Sequence, residues 1–449
     1  MRFIQTLKNI WTIEELRKRL VITFLLVVVY RLGCQIVLPG ISPEDLKALA
    51  NFTNSSGLMQ LLDMFSGGAF SQASIFALGI MPYITASIVI QLLGMVLPSF
   101  QKMQREGESG RQKLNQYTRY LTVLILLLQG PAYLVNLRVQ VAAVVGQASM
   151  GFWTICYLTL ILAAGSMFIM WLGERITDRG IGNGISFIIL VGIIARLPEA
   201  LFFEFISRLP GDAMAAGGLV MFLVEIVLLF AVTIGAVLLV QGTRKVPVQY
   251  AKRIVGNKQY GGVRQYIPLK VNAAGVMPII FAQAIMFVPI TLAGFSTSEN
   301  ASGFMSAFSD VNGFWYNLVY FVMIVAFTYF YTAITVRPTQ MAEDMKRNNG
   351  FIPGVKPGKK TAEYLDSIMS RITLPGSFFL GIVAILPAFA RFFGVSQNFA
   401  QFFGGTSLLI LVGVVLDTLQ QIESHLMMHH YDGLMKDGKI KGRTTGSAY

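Results

Sequence analysis

Residues 218–272 read GLVMFLVEIVLLFAVTIGAVLLVQGTRKVPVQYAKRIVGNKQYGGVRQYIPLKVN. The first part is an apolar run broken by one charge, Glu225, and about 20 such residues suffice to cross a bilayer core of ~30 Å. The second part, from Gln241 to Asn272, carries Arg244, Lys245, Lys252, Arg253, Lys258, Arg264 and Lys270 and no Asp or Glu. A concentrated positive loop therefore hangs from a membrane-embedded body. The positive-inside bias holds such a loop on the cytoplasmic side, where it is either a topology signal alone or a binding surface for something anionic.

The rest of the chain repeats the apolar half of that pattern. Hydrophobic residues make up 54% and charged residues 13%, with a mean hydropathy of +0.60; soluble domains carry roughly 25% charged residues. A soluble fold is excluded, and the fold class is an all-α polytopic membrane protein. Ten spans are expected near 20–38, 75–97, 120–137, 152–172, 181–197, 218–240, 273–293, 314–336, 376–393 and 406–419. The fifth and ninth are short and rich in Gly or Pro.

An even number of spans puts both termini on one side. On that side fall 30 of the 36 Lys/Arg, and the other six are Arg31, Lys47, Arg138, Arg196, Arg208 and Arg391. Both termini are thus expected to be cytoplasmic. No small-residue cleavage site follows the first apolar run, which reads as a retained span. Cys34 and Cys156 lie in or beside spans without metal-ligand spacing and read as small core residues. The net charge of +13 suits anionic lipids, acidic protein or RNA as neighbours.

Ten spans divide into five and five, an odd number per half, so the halves are inverted relative to each other. The connection at 208–217 is the expected hinge, giving an N-terminal half over 1–207, a C-terminal half over 208–424 and a cytoplasmic tail over 425–449. Inverted repeats place a pathway at their interface. Between the first two spans, residues 58–74 are too apolar for a loop and too short for a span, and Gly67-Gly68 breaks them. They are either a re-entrant plug inside the protein or an amphipathic helix lying on the surface. A second long basic connection, 337–374, has Phe351-Ile-Pro-Gly-Val-Lys-Pro-Gly358 at its tip. Its two Pro-Gly turns present Lys356 for docking, unless the run is simply solvated.

Enzyme chemistry finds no foothold in these residues. His425, His429 and His430 lack the Glu of a zinc protease motif. Gly180-Ile-Gly182-Asn-Gly184 follows an apolar span where a dinucleotide fingerprint follows a strand. Gly358-Lys359-Lys360-Thr361 misses the spacing of a phosphate loop. No catalytic residue, cofactor or metal is expected. Within the spans, Arg31, Glu225 and Asp417 are too scattered for an ion-coupling site and read as buried structural partners. Ile80 with Ile84 and Ile185 with Ile189 stack at i,i+4 on helix faces. A stiff β-branched side chain suits a hydrophobic constriction, although by spacing alone core or lipid contact is the commoner reading.

The residues themselves resolve more than the spacing. The run ALGIMPYITASIVIQLL over 77–93, Glu106-Gly-Glu-Ser-Gly-Arg111 with Gln116-Tyr-Thr-Arg-Tyr120, WLGERITDRGIGNGIS over 171–186, Tyr250-Ala-Lys-Arg253, Pro268-Leu-Lys-Val-Asn272, Gly404-Gly-Thr-Ser-Leu-Leu-Ile410 and the Pro-Gly loop resemble the bacterial SecY family of protein-conducting channels. That resemblance implies a central pore between the two five-helix halves, through which unfolded secretory proteins cross the membrane and from which transmembrane segments leave sideways into lipid. It implies a pore ring of Ile80, Ile84, Ile185, Ile189, Ile280 and Ile410. It implies a plug that includes Leu61, Leu62, Met64, Phe65, Gly67 and Gly68, and a lateral gate with polar positions Thr85 and Gln129. Lys252, Arg253 and Lys356 would contact a SecA motor ATPase or the ribosome, SecE and SecG would be the small membrane subunits, and the setting would be the bacterial inner membrane. One departure stands out: the family usually has Arg where this chain has Lys356, which keeps the charge and loses the planar fork.

Overall fold

The computed structural model describes residues 11, 13–41, 63–145, 151–209, 218–250, 253–255, 258–260, 264–283, 285–286 and 313–436. The helices, numbered in chain order, are α1 (Glu14–Cys34), α2 (Met81–Val96), α3 (Pro98–Arg105), α4 (Glu108–Val145), α5 (Phe152–Arg179), α6 (Gly184–Ser207) and α7 (Gly218–Gln241). Then follow strands β1 (Thr243–Tyr250), β2 (Arg253–Val255), β3 (Lys258–Tyr260) and β4 (Arg264–Lys270). The remainder comprises α8 (Phe314–Thr335), α9 (Pro338–Arg347), β5 (Gly350–Phe351), α10 (Lys359–Phe392), α11 (Gln397–Ala400) and α12 (Gly405–Lys436).

Among the described residues, seven helices are long and apolar enough to cross a membrane, in α4, α5, α6, α7, α8 with α9, α10 and α12. An eighth forms if α2 and α3 are one span, bent by 103°. Pro98 opens α3, and the residue before it, Leu97, is extended (ψ 122°), as a following proline requires. The first expected span is α1, 21 residues long. Its opening turns hold Glu14, Glu15, Arg17, Lys18 and Arg19, so its uncharged stretch runs only from Leu20 to Tyr30. The seventh is represented by a helical stretch over 277–283, beyond which most of it lies outside the described residues. The chain is a multi-pass helical membrane protein.

It divides into two compact units. The first holds α1 to α5, α6 up to Ile193, and α12 from Val414; the second runs from Ile194 to Gly413. In the first, α1 packs on α5, α2 on α4 and α4 on α5, burying Leu126, Leu134, Leu158, Leu162 and Ile169. Arg119 grips Glu174 with two bonds, 3.2 Å from Nε and 2.7 Å from Nη2, tying α4 to α5.

In the second unit α8 packs along α10, while α7 buries little beyond Glu225 and Ala236 and turns its other faces outward. Helices that meet lipid keep apolar side chains on the outside, since hydrocarbon is as apolar as leucine. Glu225 is a buried structural partner, as its sequence suggested: Arg208 Nη2 donates to its Oε1 at 2.7 Å, and Arg208 Nε donates to Glu204 Oε1 at 3.0 Å. Nη2 also reaches the Gly394 carbonyl at 2.8 Å, and Glu204 Oε2 accepts the Ser396 N–H at 3.1 Å. Asp417 departs from the expectation of burial and is exposed. The reason is local, because α12 turns polar there with Thr418, Gln420, Gln421 and Glu423.

The sequence presents the two basic loops as separate long connections, and the structure joins them. β1 pairs antiparallel with β4 from Thr243↔Lys270 to Gln249↔Arg264 and with β5 through Gln249↔Phe351 and Tyr250↔Gly350, giving the order β4-β1-β5. Beneath the sheet, Val246, Val248 and Leu269 meet Met345 of α9, Ile352 and, on α10, Leu365 and Met369. Ile352 is 2% exposed at the centre of this core. Ile352→Ala should cost about 2–5 kcal/mol of local stability, lowering hydrogen-exchange protection of 243–250 by on the order of a hundredfold while that of α8 holds. Equal protection in both proteins would show that the sheet does not depend on this packing.

Candidate functional site

Residues 63–80 are the least regular backbone in the first unit and among its most buried. One short helical turn, 63–65, gives way to successive turns up to Ile80, where α2 begins. Every residue from Asp63 to Ser71 is buried, with Met64 at 5%, Phe65 at 6% and Ala69 at 0% exposure. A helix lying on a membrane surface would leave one face open. Of the two sequence readings, burial on all sides matches the re-entrant one.

The segment is held by its own polar groups and by its neighbours. The Asp63 carboxylate accepts the Ser71 N–H at 2.7 Å, and the Ser66 hydroxyl accepts the Phe70 N–H at 3.0 Å. Leu38 N–H donates to the Ala73 carbonyl at 2.9 Å and Ile75 N–H to the Ile36 carbonyl at 3.0 Å, a single bridge that fastens the end of the segment to the chain after α1. Gly67 and Gly68 have φ of +67° and +92°. Gly67 also lies against Gly192 of α6, where a Cβ on Gly67 would come within 2.9 Å of the Gly192 Cα. Two glycines thus let backbone meet backbone.

Two helices then send side chains to the segment's carbonyls. Tyr30 of α1 donates to Ser66 O at 3.1 Å, Arg31 Nη1 to Gly67 O at 2.8 Å, and Tyr133 of α4 to Phe70 O at 3.1 Å, while α6 contributes only the Gly192 surface. Arg31 is therefore a structural partner, as read, but half-buried where the sequence suggested full burial. Tyr30 and Tyr133 were missed; a tyrosine within an apolar run gives no sign of which carbonyl its hydroxyl will find.

The isoleucines sit beside this segment in sequence and structure. Ile80 caps α2 and Ile84 N–H bonds its carbonyl at 3.1 Å, so both lie on one side of that first turn. Ile185 and Ile189 occupy the first turns of α6, whose start is fixed by close packing: a Cβ at Gly184 would collide with the Gly173 carbonyl of α5. The Asn183 carboxamide caps the helix, accepting from Ile185 N–H at 3.1 Å and Ser186 N–H at 3.3 Å. Gly182 N–H reaches Gln421 Oε1 of α12 at 2.9 Å, and Ile181 N–H reaches Thr23 Oγ1 of α1 at 3.2 Å. Four isoleucines of the expected ring thus belong to the first unit. Ile80 and Ile189 are buried, and Ile84 and Ile185 are half-buried.

Ile280 and Ile410 belong to the second unit, half-buried and buried respectively. A Cβ at Gly413 would lie 2.6 Å from Val276 Cγ2, and each isoleucine stands one helical turn from that crossing. Thr85 returns its hydroxyl to Met81 O at 3.0 Å within α2, and Gln129 is half-buried on α4. Leu61, Leu62 and Lys252 lie outside the described residues. Arg253 is in β2, paired with Tyr260 of β3. Lys356 is exposed, its carbonyl accepting the Thr361 hydroxyl at 2.9 Å. Among the described residues no group of three or more His, Cys, Asp or Glu is arranged to hold a metal.

A helical multi-pass body, a buried irregular segment between its first two spans and a small sheet built from two basic loops together define the class of a membrane channel or carrier. The comparisons narrow it. A family model for SecY matches residues 74–419. The protein translocase subunit SecY of Streptomyces griseus is 43% identical over 94% of this chain and 97% of its own length. Among solved structures, one described as a protein-conducting channel superposes with a TM-score of 0.62 at 17% identity, covering 91% of this chain and 92% of that one. A second, described as showing that the plug domain of SecY stabilises the closed state and maintains a membrane seal, gives 0.57 at 17% identity over the same shares. This chain belongs to the SecY family.

The Asn183 cap orients Ile185 and Ile189, so its loss is measurable. Asn183→Ala should cost about 1 kcal/mol and Asn183→Asp much less, read as a lowered unfolding midpoint in detergent for the alanine variant alone. Identical midpoints for all three proteins would mean that close packing at Gly184 sets the start of α6 without the cap.

Proposed function

We propose that this chain is the central channel subunit of a Sec protein translocase in a bacterial inner membrane, passing unfolded secretory proteins across and releasing transmembrane segments sideways. The observation that carries this reading is the buried segment 63–80. Irregular backbone persists at membrane depth only inside protein or beside water, and a plug in a pore meets that condition. Ten spans in two inverted halves, 1–207 and 208–424, surround the pathway, with both termini and the tail 425–449 cytoplasmic. Ile80, Ile84, Ile185, Ile189, Ile280 and Ile410 form its constriction. A ring of stiff alkyl groups offers water and ions no hydrogen bonds and seals around a passing chain. Thr85 and Gln129 belong to the lateral gate.

The sheet built from the two basic loops is the cytoplasmic docking surface for a SecA motor or the ribosome, and SecE and SecG are the companion subunits. The chain performs no chemistry itself. A partner's ATP hydrolysis, chain elongation and the membrane potential supply the work.

Three measurements test this. Ile84→Asn combined with Ile410→Asn wets the ring, so conductance of the resting channel in planar bilayers should rise several-fold; no rise would remove the seal. A cysteine replacing Ile80 should cross-link to a stalled secretory chain, which a small-solute carrier would not hold there. For docking, Lys356→Glu should slow SecA-driven translocation of one precursor into vesicles, while Lys356→Arg equals or exceeds the parent. The defect should shrink at high salt if the contact is a screened surface pair. One rate for all three proteins would leave Lys356 a topology signal only.

A further inference from the structure

Three strong donors reach the buried segment, the Cys34 thiol being a weak fourth at 3.9 Å from Ser66 O, and their geometry points to a releasable latch. Gly67, Gly68 and Ala73 have positive φ values of 67°, 92° and 44°, so the backbone between them does not follow a helical ladder and several of its carbonyls look elsewhere for donors. Tyr30, Arg31 and Tyr133 answer three of them, at Ser66, Gly67 and Phe70. All three contacts fall within 66–70, on the stretch that abuts Gly192. The other attachment, the Val37↔Ser74 bridge with its two backbone bonds, lies at the far end of the segment and uses no side chain.

The two attachments differ in what their loss entails. Breaking the bridge would strip backbone groups of partners deep in the protein. Breaking the side-chain contacts returns three carbonyls, two hydroxyls and a guanidinium to whatever water the open pathway admits, and each can be rehydrated. A charged residue at membrane depth needs a partner or water; Arg31 has the Gly67 carbonyl in the resting state and the wet pathway in the open one.

We propose that Tyr30, Arg31 and Tyr133 are positioning residues that latch segment 63–71 in its resting place, that the segment swings about the Val37↔Ser74 bridge when the latch breaks, and that the latch strength sets how strong a signal sequence must be to open the channel. This rests on the plug reading above. Arg31 is the principal member, because a charge-assisted bond is roughly twice as strong as a neutral one.

The test uses the full chain with its companion subunits in planar bilayers and in vesicles. The parent is compared with Arg31→Met, Arg31→Lys, Tyr133→Phe and Tyr30→Phe, and with deletion of 60–70 alone and combined with Arg31→Met. Arg31→Met should raise resting conductance and export of a precursor with a defective signal by on the order of tenfold, and each Tyr→Phe change by a few-fold. Arg31→Lys, which keeps a cationic donor, should fall between parent and Arg31→Met. In the deletion background, Arg31→Met should add nothing, whereas a residue that merely stabilises the fold would add its effect in both backgrounds. The tyrosine variants keep their rings and lose one oxygen each, so they still decide the matter if Arg31→Met fails to accumulate. If the deletion leaks and the latch variants match the parent, the latch is wrong while the plug stands. A deletion that does not leak removes the plug and the latch with it.

Discussion

Backbone at membrane depth has to answer one constraint: there, a backbone N–H or C=O without a partner costs several kcal/mol. The helices meet it internally. Residues 63–80 cannot, and their surroundings show the response. A buried carboxylate and a hydroxyl of their own, a one-bridge pairing with the chain after α1, and three donors from α1 and α4 supply what the segment's turns leave open. Arg31 in the last turn of α1 is explained by the same constraint, since its charge is the donor that an irregular neighbour requires. The irregular segment and the charge beside it are two halves of one arrangement.

A similar economy governs the second unit. Glu204, Arg208 and Glu225 are each almost wholly buried, at 1%, 4% and 2% exposure. Desolvating such ions is unfavourable by several kcal/mol each unless nearly every polar atom is engaged. Here the guanidinium bonds both carboxylates and the Gly394 carbonyl, and Glu204 also takes the Ser396 N–H, while Glu225 Oε2 is the one carboxylate oxygen of the pair left without a hydrogen bond among the described residues. The cluster joins the end of α6, the body of the next helix α7 and the turn after α10, which lies 186 residues beyond Arg208. Such a network adds specificity to an otherwise greasy interface, because only one register of these helices satisfies it.

Composition and charge asymmetry made the fold class legible, because length and hydropathy are what a bilayer selects for. The boundaries of α5, α7 and α8 fall close to the expected spans for the same reason. The isoleucines were not legible from spacing: an i,i+4 pair in a span is core, lipid contact or constriction alike, and only the resemblance of the surrounding motifs singled them out. The sheet was missed because its strands look like loops. Pro247 and Pro268 interrupt β1 and β4, and charged residues crowd both. The usable signal was the alternation of Val246 and Val248, and of Ile267 and Leu269, which puts each pair on one face of a strand. The tyrosines at 30 and 133 and the Gly67–Gly192 contact were beyond reach, since each depends on a neighbour more than 30 residues away.

Joining the two basic loops also changes what a docking partner can act upon. Lys356 stands on a tip whose carbonyl is bonded by Thr361, the third residue of α10, and whose Ile352 is sunk in the core shared with Leu365 and Met369 of the same helix. No flexible spacer separates the tip from α10, which continues for 34 residues to Phe392. A Cβ at Gly376 would come within 3.1 Å of Val271, and one at Gly381 would meet the Phe321 ring at 2.5 Å, so α10 is closely packed against the end of β4 and against α8 further along. Close-packed interiors transmit displacement because they have no voids to absorb it. A displacement of the tip at Lys356 is therefore a displacement of α10 itself, and through it of α8, so the tip and the two helices form one stiff piece of the second unit.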